Sequence, residues 1–149
     1  MSPSTTRSLF NAYTVASGLL LIFATAHTVG GLLLSRSFGT AGDAVFASMK
    51  AVHFDFNGTE RTFYDFHMGF GLAASVFLVF SAALSWHLGR AAPLPVLRPV
   101  AWALFLANVC NMVLSWAYFF VGPGIFSTAI ALLLGWECMT SFNDPKIST

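Results

Sequence analysis

Glu60, Arg61, Asp65 and His67 fall within eight positions of the stretch ERTFYDFHMGFGL (60–72), where an apolar run begins. A histidine or carboxylate held in an apolar cavity has a displaced pKa and can move protons on a hydrophobic substrate, as in double-bond isomerisation or ring closure. In this chain the acid–base candidates for that chemistry are His27 and His67, with Asp65 as the fixed anion. Arg61 and Asp65 stand four apart, so they are expected to pair across one helical turn. Near a helix start Asp65 also faces the positive end of the dipole. His67 lies two positions further on, on nearly the opposite side of a helix. Asn108, Asn111, Ser115, Trp116 and Glu137 complete the groups expected to bind a ligand, with Trp116 suited to a cationic intermediate.

Other chemistries are less well served. HFD (53–55) and DFH (65–67), with Glu60 and His27, contain nitrogen and oxygen donors, yet no H-x-x-x-H or E-x-x-H pair aligns them. No metal and no cofactor is expected. Phosphate-cradling glycine loops and Ser–His–Asp signatures are missing, and GFG (69–71) reads as helix packing. A net charge of +1 gives no reason to expect nucleic acid as a partner. Cys110 and Cys138 lie in apolar runs without a C-x-x-C and read as small buried hydrophobes.

The elements that must position these side chains are membrane spans. Only 9% of the 149 residues are charged and 56% are hydrophobic, against about 25% charged in a soluble domain. Four runs have the roughly 20 apolar residues a crossing needs: about 10–34, 63–87, 97–120 and 124–142. The expected fold is all-α, a four-helix transmembrane bundle forming a single domain over 1–149. The first run is longer than a secretory leader and lacks its cleavage pattern. VGPG (121–124) predicts a tight turn that makes an antiparallel hairpin of the last two spans. Arg7, Arg90, Arg98 and Lys146 fall on one side, and Arg36, Lys50 and Arg61 on the other. The short Arg90/Arg98 connection obeys the positive-inside rule best, which places both termini in the cytoplasm.

The loop 35–62 is not plain linker. Val45, Phe46, Met49 and Val52 predict one face of a short amphipathic helix on the membrane surface or capping the bundle. NGT (57–59) predicts a turn and is also a glycosylation sequon in a secretory-pathway host. Tyr13, Ser17, Leu20, Ala24, His27 and Gly31 share a face of span one. Gly69 and Ala73 form a close-packing pair on span two, and Asn108, Asn111, Ser115 and Tyr118 an inward stripe on span three. At 1.5 Å per residue, His27, Arg61, Asp65, His67, Ser115 and Trp116 can gather in the outer half, with Asn108 and Asn111 mid-membrane. Glu137 then lies roughly 20 Å down span four, in the inner half.

Residues 49–72, MKAVHFDFNGTERTFYDFHMGFGL, resemble the signature of a family of small four-span, mostly bacterial membrane proteins. The shared part is Arg61, Thr62, Phe63, Tyr64, Asp65, Phe66, then Gly69 to Leu72, with HTVGG (27–31) also similar. The resemblance covers the first half of the chain. It implies the four-span fold and weight on Arg61 and Asp65, and carries no reaction. Sterol isomerases of the emopamil-binding type differ: they hold acids well inside their spans beside a histidine, whereas His27 is followed by Gly30 and Gly31 and the only acid of span two sits at its mouth. The DoxX-like proteins are similar in layout without the motif. The function expected is a pocket for a small lipophilic ligand near the outer leaflet, with isomerase or cyclase chemistry as its catalytic form. A non-catalytic structural, interaction or transport-linked protein is the alternative. Membrane lipid or a small lipophile is the expected partner, with a second copy of the chain as a further option.

Overall fold

The computed structural model describes residues 10–34 and 36–141; Arg7 and Lys146, two of the charges on which the expected orientation rests, lie outside them. Four helical stretches are long and apolar enough to cross a membrane: Ala12–Leu33, Phe63–Arg90, Pro95–Tyr118 and Val121–Thr140. This is the all-α architecture of a multi-pass membrane protein. Span one is α1 (Ala12–Thr25) followed by a π-helical segment (Ala26–Leu33). The loop carries α2 (Gly39–Ala51) and a hairpin of β1 (His53–Phe56) and β2 (Thr59–Thr62). Then come α3 (Phe63–Arg90), a short 3-10 turn (Pro95–Leu97), α4 (Arg98–Tyr118) and α5 (Val121–Thr140). The chain divides into two compact units, Met1–Phe23 with Leu78–Thr149 and Ala24–Phe77.

The first unit is a four-helix bundle of the start of α1, the end of α3, α4 and α5. Its core is built from Tyr13, Leu20, Leu78, Leu104, Ile130 and Leu134, with many small residues between them. Lipid tails are as apolar as leucine, so close approach and hydrogen bonds, more than water exclusion, must hold such helices together. Serines supply those bonds. Ser17 Oγ donates to the Ala82 carbonyl at 2.9 Å and Ser85 Oγ to the Tyr13 carbonyl at 2.7 Å. Glycines supply the approach between α4 and α5: a Cβ on Gly135 would stand 2.8 Å from the Phe105 ring, and one on Gly124 would stand 2.7 Å from the Trp116 indole.

The first unit also corrects the expected turn at VGPG. Helix α5 already begins at Val121, and the reversal is confined to Phe119 and Phe120, both extended. Pro123 fits because a helix leaves the N–H groups of its first turn unpaired, so a residue without one loses nothing there.

In the second unit the amphipathic loop helix is present as α2. Its N-cap residue, Phe38, makes no side-chain cap bond. Asp43 substitutes from inside the helix, taking the Phe38 N–H at 2.9 Å and the Ser37 hydroxyl at 2.7 Å. The Ser37 hydroxyl, and then the Phe38 amide, hold the Asp43 carboxyl below the ordinary carboxylate range. A depressed folded value stabilises this helix start fully above the ordinary value of about 4 and loses that support as pH falls through the folded one. Acidification below about pH 4 is therefore expected to cut hydrogen-exchange protection at Phe38, corrected for intrinsic rate. In Asp43→Ala, which has no acceptor, that protection should be low at every pH.

The hairpin goes beyond the turn expected at NGT. Asn57 and Gly58 both take positive φ, +54° and +80°, the geometry of the two-residue turn that suits the twist of paired strands. The Asp55 carboxylate accepts the Gly58 N–H at 2.8 Å, and the register pairs Phe56 with Thr59 and Phe54 with Arg61.

Candidate functional site

In the second unit Asp65, His27 and His67 each have contacts of their own, and of the three only Asp65 lines the groove described below. Helix α3 begins at Phe63, so Arg61 belongs to β2 and the expected helical pairing of Arg61 with Asp65 does not form. Arg61 Nη1 donates instead to the Glu60 carbonyl at 2.7 Å. Asp65 closes a reciprocal cap. Its Oδ2 accepts the Thr62 N–H at 2.8 Å and the Thr62 hydroxyl at 2.9 Å, while the Asp65 N–H donates to Thr62 Oγ1 at 3.1 Å. Thr62 and Asp65 are three apart, the spacing of a capping box.

His27 is half-buried in the π-helical segment. Its Nε2 lies 3.0 Å from the Gly71 carbonyl, and since a carbonyl only accepts, Nε2 carries the proton. Beside it Thr28 Oγ1 is 2.7 Å from Ser75 Oγ and 2.8 Å from the Ala24 carbonyl. The helices approach closely here: a Cβ on Gly71 would stand 2.5 Å from a Leu32 methyl. The expected close-packing pair is thus displaced by two residues, because Gly69 meets nothing within 4 Å and Ala73 is exposed. The shared face of span one also stops early. Tyr13, Ser17, Leu20 and Ala24 are buried, His27 is half-buried and Gly31 is exposed, because a π-helix turns less per residue than the α-helix assumed in counting steps of three and four. His67 packs edge-on against Phe46, with ring centroids 5.8 Å apart, and lies beside Tyr64, whose ring also carries Lys50 Nζ at 4.5 Å.

What the second unit does build is an open groove of roughly 420 Å³ lined by Phe56, Thr59, Arg61, Asp65, Phe66, Gly69 and Phe70. Asp65, Phe66, Gly69 and Phe70 recur at helical spacing on α3, and Thr59 and Arg61 alternate on β2. Phe66 joins the walls, with centroids 5.9 Å from Phe56 and 6.1 Å from Phe70. Phe70 is 72% exposed. A second groove, roughly 330 Å³ and almost wholly apolar, runs between α2 and Phe63. Neither is lined by His27 or His67. Phe56, Thr59, Phe66, Gly69 and Phe70 were not among the expected site residues. The signal for them was present: Asn-Gly between alternating residues marks a hairpin, and its strand period puts Thr59 and Arg61 on one face.

The remaining expected ligand groups belong to the first unit, where most are structurally occupied. Asn108 is buried and donates back to the Leu104 carbonyl of its own helix at 2.9 Å. Ser115 is buried, Asn111 half-buried and Tyr118 exposed, so the stripe on α4 is not uniformly inward. Trp116 lies against Gly124 and donates its indole N–H to Thr128 Oγ1 at 2.9 Å, tying α4 to α5. Glu137, 8% exposed, accepts the Ala12 N–H at 2.9 Å and the Ser141 hydroxyl. It caps the start of α1. Among the described residues no three His, Cys, Asp or Glu side chains cluster closely enough to hold a metal ion. Comparison with protein-family models, with curated proteins and with solved structures finds no match.

Proposed function

We propose that this multi-pass membrane protein holds a small amphiphilic or lipophilic molecule in the groove at the start of α3. The observation that carries the reading is the composition of that groove: three phenylalanine rings and an open glycine, with a guanidinium and a carboxylate on the same lining. Apolar walls with a few placed polar groups are the general form of a small-molecule site. Arg36, Lys50 and Arg61 flank this end, and the shorter connection holds Arg90 and Arg98, which favours placing the groove at the non-cytoplasmic surface. Binding is a better reading than isomerase or cyclase chemistry, because of the three acid–base candidates only Asp65 lines the groove.

The test is occlusion. A side chain at Gly69 meets no atom within 4 Å of its Cβ, so Gly69→Leu fills the groove without disturbing the helix. Native mass spectrometry of protein extracted in mild detergent should show a retained lipophile on the wild type, and about tenfold lower occupancy on Gly69→Leu. Equal retention on both proteins, with unchanged melting temperature, would remove the groove as the site.

A further inference from the structure

Resting on that reading, we infer that the groove recognises a zwitterionic phospholipid headgroup, with the phosphate on Arg61 and the ammonium on Asp65. Two opposite charges line this one groove without meeting. The only ion pair among the described residues joins His53 and Glu60, so Arg61 and Asp65 do not come within ion-pair distance. Each is nonetheless committed on one side only. Arg61 spends Nη1 on the Glu60 carbonyl, leaving guanidinium N–H groups of the kind that grip phosphate oxygens. Asp65 spends Oδ2 on the Thr62 cap, leaving Oδ1 as an acceptor. With the carboxylate on the Thr62 cap and the guanidinium turned to its own strand, the two charges line the groove without forming an ion pair.

A ligand that satisfies both must carry an anion and a cation a short distance apart on one molecule. A phosphate joined to an ammonium through two carbons has that form. An anionic headgroup alone would satisfy Arg61 and meet Asp65 with like charge. Below the charges, Phe66, Gly69 and Phe70 follow α3 into its apolar run, and Phe70 presents a largely exposed ring on which an acyl chain can lie. Phe56 and Phe66 add aromatic faces that attract a cation. Asp65, as a hydrogen-bond acceptor, favours a primary ammonium over a quaternary one.

The experiment uses the full chain in nanodiscs doped with phosphatidylethanolamine, phosphatidylcholine or phosphatidylglycerol, with the bound lipid read by native mass spectrometry. Phosphatidylethanolamine is expected to be retained about tenfold more than phosphatidylglycerol, with phosphatidylcholine between them. Arg61→Gln should lower retention of all three. Asp65→Asn should abolish the preference over phosphatidylglycerol. Since Asp65→Asn also weakens the start of α3, Thr62→Ala is the control: it loses both bonds made through the Thr62 hydroxyl, keeps the charge, and should keep the preference. Preference for phosphatidylglycerol, or a preference lost equally in Thr62→Ala and Asp65→Asn, overturns the headgroup assignment. If the three lipids are retained equally and Gly69→Leu reduces them all, the groove stands and the headgroup assignment fails. If Gly69→Leu reduces none, both fail.

Discussion

Glu137→Ala is expected to destabilise the protein by about 3 kcal/mol, because hydrogen bonds to a charged group contribute roughly 1.5–3 kcal/mol each and this carboxylate makes at least two. Its Oε1 accepts the Ala12 N–H and its other oxygen takes the Ser141 hydroxyl. Asn11 completes the arrangement, exchanging hydrogen bonds with Thr14 and donating Nδ2 to the Gly89 carbonyl at 2.9 Å. The beginning of α1 is thereby tied to the ends of α3 and α5. For a chain of this size the loss corresponds to a fall in melting temperature of roughly 6–12 °C, measurable by tryptophan fluorescence in detergent. Glu137→Gln keeps an acceptor for Ala12 and should fall less. If Glu137→Ala melts with the wild type, the cap contributes nothing to stability. Retained lipid on the groove should be unchanged in either variant at low temperature.

Tyr13→Ala should have a comparable or larger effect, about 3–5 kcal/mol, the range for truncating a large aromatic in a packed core. Tyr13 is fully buried. In a bilayer the lost term is packing and the void left behind, since the surrounding lipid is itself apolar. The Tyr13 hydroxyl lies 3.8 Å from Cys138 Sγ, and its backbone carbonyl receives the Ser85 hydroxyl. Tyr13→Phe keeps the ring and that backbone bond, so it should lose much less. Near-equal losses in thermal scans would mean that the hydroxyl, and not ring volume, holds this corner together.

The spans were legible because their signal is collective: four apolar runs of membrane-crossing length need no knowledge of partners. The amphipathic α2 was legible for the same reason, through the recurrence of Val45, Phe46, Met49 and Val52. The roles of individual polar residues were not. Arg61 and Asp65 look paired only if one helix contains both, and a strand ending at Thr62 separates them. Glu137 reads as a site acid in an apolar run, yet its partner, the Ala12 amide, lies 125 positions away. Trp116 and Asn108 likewise resemble ligand groups until their bonds to Thr128 and Leu104 are seen. Polar side chains in a membrane span must be satisfied somewhere, and the sequence does not say whether by the chain itself or by a guest.

The wide turns at Ala26–Leu33 have a consequence for how this chain tolerates insertion and deletion. An i→i+5 ladder holds more residues per turn than the i→i+4 ladder that precedes it. A deletion elsewhere in a crossing helix rotates everything beyond it by about 100°. Here, removing one residue such as the exposed Val29 lets the stretch close as ordinary α-helix, and because the helix ends at Leu33 with Leu34 already extended, no helical face beyond it is turned. Span one therefore carries its slack at the level of the histidine and the glycine carbonyl it holds.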